Sequence, residues 1–421
     1  MNIAILHYSV PSVVGGVESV VAHHARLMAA DGHAVRLIAA RGESLNEQIP
    51  LTIIPLADSR HARVAKMKEQ LDRGEVTNDF EALRDELAEQ LRAALTGVEI
   101  LIAHNVCSLN KNLALTAALH QLHTSAPRNF PRLILWHHDL AWTTPRYISE
   151  LHDGYPWNLL KTAWLNAVQV TVSDMRQSEL ADLMSINTSM IAVVPNGVDV
   201  KEFLKLEEQT QNYVARLELL EASPLLLLPV RITPRKNIEL ALHVLSYLHK
   251  YYPDAQLVVT GPLGPHNPAN VAYFDKLRSL RQQLELTASA HFLAELTDGY
   301  IPDAVIFDFY RLADLLFLPS WEEGFGIPLL EAGLASMPIF CSDIPPLRKL
   351  GGDHAIYFPP SEDPEMVCSL IVENIVGNSV LAMKTNVRFR HTWERVYTAK
   401  IAPMLKELET DPASSSFNQN A

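Results

Sequence analysis

Two glutamates, Glu323 and Glu331, stand eight positions apart around a glycine turn in the stretch LPSWEEGFGIPLLEAGLASMP, Leu318 to Pro338. The apolar run Leu312 to Leu318, broken only by Asp314, reads as a buried strand that ends at Pro319-Ser320. Gly324, Phe325 and Gly326 follow, and Pro328 opens a helix. Proline suits the first helical turn because its missing N–H would find no partner there. The free N–H groups of that turn and the positive end of the helix dipole suit a phosphate or diphosphate. The two glycines let the backbone approach such a ligand closely. Carboxylates accept hydrogen bonds and repel phosphate, so Glu323 and Glu331 suit hydroxyls beside the diphosphate, such as vicinal diols of a ribose and a hexose. A plain helix entry with a solvated acidic turn fits the same residues.

Other chemistry-bearing groups lie at strand ends. Arg231 lies near the end of the very apolar run Leu225 to Ile232, and Lys236 and Asn237 follow it before a helix from Ile238. A planar guanidinium and a mobile ammonium are both partners for phosphate oxygens, although surface charge at a helix entry also accounts for them. His137, His138 and Asp139 end the short strand Leu133 to Trp136, the place where open α/β sheets hold ligands. With 17 histidines in the chain, a structural role is the commoner one. Gly15 and Gly16 form the first strand-to-helix turn, and Gly261 stands at the end of the strand Ala255 to Thr260. Trp136, Trp142, Trp157 and Trp164, with Tyr147 and Tyr155, form an aromatic tract that suits a core or an acceptor pocket.

These turns need a scaffold of alternating strands and helices. NIAILHYS, AVRLIA, VEILIAH, VQVTVS, LLLLPVRI and MPIFCS are strand-like runs separated by helical patterns, and the alternation implies parallel sheets. Phe80, Leu83, Leu87, Leu91 and Leu95 share one helical stripe within the charge-rich residues 58 to 96, a core face with no assigned chemistry. A polar run, Glu207 to Asn212, suggests a linker at about 200–223, and the tail from Asp411 reads as disordered. At 421 residues the chain predicts two or three domains. Its net charge of −13 argues against a nucleic-acid partner. Three scattered cysteines indicate a reducing compartment and no disulfide framework or cysteine metal site. Met1-Asn2 runs into a strand without a signal peptide, and no apolar run approaches a membrane span. The expectation is a cytoplasmic protein, with peripheral membrane contact left open.

The segment from Glu323 to Glu331 resembles the E-x7-E signature of retaining nucleotide-sugar glycosyltransferases with the GT-B fold, most closely family 4. The resemblance implies an α/β protein with two Rossmann-like domains facing each other across a cleft. It places an acceptor-side domain at 1–200, a nucleotide-sugar domain at 201–391 and a Trp-Glu helix, about 392–410, packing back on the first. It implies that Glu323 contacts donor-sugar hydroxyls, Glu331 the ribose, and Arg231 and Lys236 the diphosphate opposite Gly324, Phe325, Gly326 and Ile327. His138 and Asp139 would lie by the reacting carbon, with His137 as the alternative. Gly15, Gly16 and Glu18 match a G-G-x-E loop, Gly261 and Leu296 would neighbour the base, and Pro195 to Asp199 closes the first domain. Family members have Gly where Ser336 stands.

The implied reaction moves a hexose from a UDP, GDP or ADP sugar to an acceptor hydroxyl, without cofactor or metal. The acceptor is a small molecule, a glycan or a lipid-linked sugar. A nucleotide-sugar epimerase, which would act with no acceptor present, and a noncatalytic sugar-nucleotide binding protein share the pattern.

Overall fold

A computed structural model describes residues 1–125, 130–263, 268–297, 299 and 301–410. The expected tail at 411–421 and Gly264 lie outside the described residues. The chain forms two compact units, Met1–Gly197 with Trp393 onward, and Val198–Thr392.

The first unit is built on β1 (Asn2–Leu6), β2 (Ala34–Ala39), β3 (Leu51–Ile53), β4 (Ile100–His104), β5 (Arg132–His137), β6 (Ala167–Thr171) and β7 (Ile191–Val193). Among the described residues they pair in parallel in the order β3-β2-β1-β4-β5-β6-β7. Successive side chains of a strand point to opposite faces, and the core divides accordingly. Ala4, Leu6, Leu101, Ala103, Leu133 and Leu135 enter one hydrophobic cluster, with the stripe Phe80, Leu83, Leu87, Leu91 and Leu95. Ile3, Ile5, Ile100, Ile102, Ile134 and Trp136 enter the other, which the C-terminal segment covers with Val396, Tyr397, Ile401, Met404 and Leu405. Tyr397 Oη donates to Asp31 at 2.8 Å. Gly197 is needed at this closure, since a Cβ there would lie 2.7 Å from the Trp393 ring.

The second unit carries β8 (Leu225–Leu228), β9 (Gln256–Val259), β10 (Ala290–Phe292), β11 (Leu315–Leu318), β12 (Ile339–Ser342) and β13 (Ile356–Phe358), in the order β10-β9-β8-β11-β12-β13. β8 reads Leu-Leu-Leu-Leu because a central parallel strand is covered on both faces, and all four residues are fully buried.

Three expectations change here. The strand expected from Leu312 begins at Leu315; Leu312 ends the helix Asp303–Leu312. Asp314 lies between them, buried, accepting from the Leu225 amide at 2.8 Å and paired with Arg388 at 2.6 Å. The expected linker at about 200–223 is folded into the second unit as the helices Val200–Phe203 and Glu208–Arg216, whose Leu206, Tyr213 and Val214 join its core. The strand expected to reach Ile232 stops at Leu228, where Pro229 removes a ladder donor.

Candidate functional site

Strand order reverses between β8 and β11 in the second unit, and a parallel sheet opens a ligand crevice beyond the carboxyl ends of such a pair. The turn after β8 carries Arg231 and Lys236, and the turn after β11 carries Ser320 to Gly326. Neighbouring strands therefore deliver the cations and the glycine loop to one place. The two turns are tied by their backbones, with the Trp321 amide donating to the Arg235 carbonyl at 2.9 Å.

Lys236 ends a short 3-10 turn, Pro234–Lys236, and Asn237 at φ 51° starts the helix Ile238–Leu248. The Lys236 Nζ lies 2.5 Å from Glu323 Oε1, with the two side chains only 9% and 8% exposed. Ser320 Oγ, fully buried, donates to the same oxygen at 2.8 Å. Among the described residues Glu323 Oε2 carries no partner. Arg231 is exposed and forms no ion pair among the described residues. Arg235 reaches the Glu322 carbonyl at 3.5 Å.

Gly326 caps the helix Ile327–Leu334 at φ 100°, and a Cβ there would meet Leu347 at 2.6 Å. Side chains resist that left-handed conformation. Gly324 meets nothing within 4 Å, so neighbouring atoms do not dictate its lack of a side chain. Phe325 and Ile327 are more than half exposed. Glu331 accepts a 2.6 Å hydrogen bond from the Tyr310 phenol. Gly261 lies in the loop after β9, where a Cβ would overlap the Val230 carbonyl, so this glycine lets two strand-end turns touch. Leu296 follows a 3-10 turn after β10. Ser336, where a glycine is expected, adopts φ 55° just past the helix. Such a position favours glycine.

In the first unit the order reverses between β1 and β4. Gly15 is extended at φ −179° and Gly16 starts the helix Gly16–Ala30. The Glu18 carboxylate folds back over Gly15, where it leaves no room for a Cβ, and accepts from Ser9 Oγ at 2.6 Å. His138 follows β5 and is nearly buried; its Nε2 lies 3.0 Å from His104 Nδ1 at the end of β4. The rings stack at 5.3 Å. His7 Nδ1 lies 2.8 Å from the His104 carbonyl. Asn105, at φ 58°, accepts from the His138 amide at 2.8 Å and the Asp139 amide at 3.3 Å. Asp139 is partly exposed, 3.7 Å from Arg176.

Burial holds these imidazoles neutral. It lowers His138 and His24 to about 3, and lowers His104 well below the ordinary value. Each also feels its histidine neighbours, whose positive charge would oppose its own. His7 is lowered by burial too, with Glu18 acting in the opposite sense. The alternative His137 is the last residue of β5 and fully buried, with Nε2 2.8 Å from Gln169 of β6. Trp136, Trp157 and Trp164 are core residues, so of the four tryptophans Trp142 alone keeps a partly open face, with Lys161 Nζ 3.8 Å above its ring.

Ser320, Tyr310, His104 and His24 were not singled out by the sequence. His104 ends a strand-like run, so the reasoning that picked His138 also reaches it. Tyr310 pairs with Glu331 across 21 positions without any local pattern. Among the described residues no group of three or more His, Cys, Asp or Glu is arranged to hold a metal ion.

Comparison with known proteins gives two family matches, Glycosyltransferase Family 4 over residues 14–202 and Glycosyl transferases group 1 over residues 209–372. The chain is similar to mannosylglucosylglycerate synthase of Thermotoga maritima, 26% identical over 373 residues, 82% of this chain and 83% of that protein. It is also similar to MMP alpha-(1->4)-mannosyltransferase of Mycolicibacterium hassiacum, 23% identical over 365 residues, 81% of each. Among solved structures, sucrose-phosphate synthase from Thermosynechococcus elongatus matches with a TM-score of 0.36 and 16% identity, over 98% of this chain and 100% of that one.

Proposed function

Because the chain belongs to the group 1 glycosyltransferases and is a transferase, we propose that it has the GT-B fold and moves a hexose from a nucleoside diphosphate sugar to an acceptor hydroxyl, with retention at the anomeric carbon and without a metal ion. The observation that carries this reading is the convergence of Lys236, Glu323 and Ser320 at the β8/β11 crevice, beside the helix start at Gly326. The diphosphate takes its counter-charge from Lys236, Arg231 and the amides of residues 324–327. Glu323 accepts from the sugar hydroxyls and Glu331 from the ribose. As the bond from the anomeric carbon to the phosphate oxygen breaks, the acceptor oxygen bonds that carbon from the same face. The acceptor proton passes to the departing phosphate oxygen, so Glu323 orients the sugar and does not attack it. The names of the relatives favour a mannosyl group among the hexoses.

Among the described residues no single helix is long and apolar enough to cross a membrane. The three free, buried cysteines agree with action in the reducing cytoplasm. A screen of UDP, GDP and ADP hexoses against a panel of acceptors, reading released nucleoside diphosphate, tests the reading. Release that needs an acceptor, survives a chelator and disappears in Glu323→Gln is expected. Conversion of a donor without acceptor, or activity abolished by chelation and restored by a divalent cation, overturns it.

A further inference from the structure

The two carboxylates of the crevice are held in the same way. Glu323 has one oxygen occupied by a fully buried hydroxyl, Ser320, together with Lys236. Glu331 has one oxygen, Oε2, occupied by the phenol of Tyr310, itself only 3% exposed within the second unit's core. Among the described residues the remaining oxygen of each carboxylate has no partner. Tyr310 belongs to the helix Asp303–Leu312 and Glu331 to the helix Ile327–Leu334, so the contact fixes a side chain of one helix against another. Burial first, then the hydrogen bond and charge of Glu331, push the phenol's pKa upward, so the phenol keeps its proton and donates it to Glu331. A glutamate on an open helix face samples several rotamers, and ordering it costs free energy when a ligand arrives. A buried donor on one oxygen removes most of that freedom beforehand.

We propose that Tyr310 is a positioning residue for the donor: it grips Oε2 of Glu331 so that Oε1 is presented to the ribose hydroxyls of the nucleotide. This rests on the donor reading above. Tyr310 touches no substrate in this arrangement; it acts through Glu331.

The test is isothermal titration calorimetry of UDP and GDP, each with its 2′-deoxy and 3′-deoxy forms, on the intact chain. Wild type is expected to prefer one ribonucleoside diphosphate over a deoxy form by about tenfold, the worth of one charge-assisted hydrogen bond. Glu331→Gln removes that preference. Tyr310→Phe keeps the ring and loses the phenol oxygen; it is expected to cut the preference to about two- to threefold while leaving affinity for the deoxy form unchanged. In turnover, Tyr310→Phe raises the donor KM severalfold with kcat little altered, and adds nothing to Glu331→Gln in the double variant. Should Tyr310→Phe fold poorly, Glu331→Asp draws the carboxylate back from the phenol, keeps its charge and gives the same readings. Equal weakening of ribo and deoxy forms by Tyr310→Phe, or full retention of the preference, overturns the proposal alone. Retention of the preference in Glu331→Gln, or no binding of either diphosphate by wild type, overturns the donor reading and this proposal with it.

Discussion

Replacing Lys236 by Met asks whether the cation of the crevice is structural, functional or both. The Lys236 and Glu323 side chains are only 9% and 8% exposed and meet at 2.5 Å, so solvent screens the pair little. Removing one partner of such a pair costs about 3–5 kcal/mol, because the other charge is left without compensation. The low end applies, since Ser320 keeps its 2.8 Å hydrogen bond to Glu323 and the carboxyl can take up a proton. For a unit of this size, about 3 kcal/mol lowers Tm by roughly 6–12 °C. Neutralising both partners, in Lys236→Met with Glu323→Gln, removes the stranded charge while Ser320 still has an amide oxygen to donate to. That double variant is expected to regain about 2 kcal/mol over the single one, to within about 1 kcal/mol of wild type. Transfer behaves differently: both variants lack Lys236, assigned to the diphosphate, and the double also lacks Glu323, assigned to the sugar, so neither releases nucleoside diphosphate. Thermal unfolding beside the release assay separates the two effects. A single variant as stable as wild type, or a double variant no more stable than the single, refutes the reasoning about the pair; full transfer by the double variant refutes the site.

Acid should weaken the first unit. His24 is lowered by burial to about 3 against 6.5 when unfolded, so between those values only the unfolded chain binds the proton. Stability therefore falls as pH drops below the unfolded value, by about 2 kcal/mol at roughly pH 5. His24→Phe is expected to make the fall of melting temperature with acid shallower, the other buried histidines keeping part of it, and an unchanged slope refutes the assignment to this residue. The two glycines at strand ends should separate, because a methyl at Gly261 would be driven into the Val230 carbonyl while one at Gly324 meets open space. Gly261→Ala should cost at least about 3 kcal/mol, and Gly324→Ala should change stability by less than about 0.5 kcal/mol yet weaken UDP or GDP binding in calorimetry. Arg388→Met strands the buried Asp314 carboxylate with Lys384 at 3.5 Å and the Leu225 amide. It should lower stability in urea by about 3 kcal/mol without a change in donor KM.

The parts of this molecule legible in its sequence are those whose cause is local. A run of four leucines bounded by Pro229 reads as a buried strand, and Phe80 to Leu91 at helical spacing is a core face. The glycine loop between β11 and its helix was legible because strand, turn and helix start are consecutive. The misread stretches have distant causes. Leu312 to Leu318 looks like one apolar run, yet Asp314 divides it, and Asp314 is tolerated because Lys384 and Arg388, 70 and 74 positions later, meet its charge. Glu207 to Asn212 looks like linker because its polar residues are adjacent in sequence, while Leu206, Tyr213 and Val214 reach the core from one side of the turns. The same distinction runs through the candidate site. Motif spacing identified Glu323 and Glu331 as the hydrogen-bond acceptors, but an acceptor has two oxygens, and which one is free is set by Ser320, Lys236 and Tyr310. Lys236 lies 87 positions from its carboxylate and Tyr310 lies 21. A carboxylate whose other oxygen is already taken presents a single, fixed acceptor to a hydroxyl. On the proposed donor reading, selectivity in this crevice is a property of tertiary contacts, and substitutions at Ser320 or Tyr310 should change how well a donor is discriminated before they change whether the chain folds.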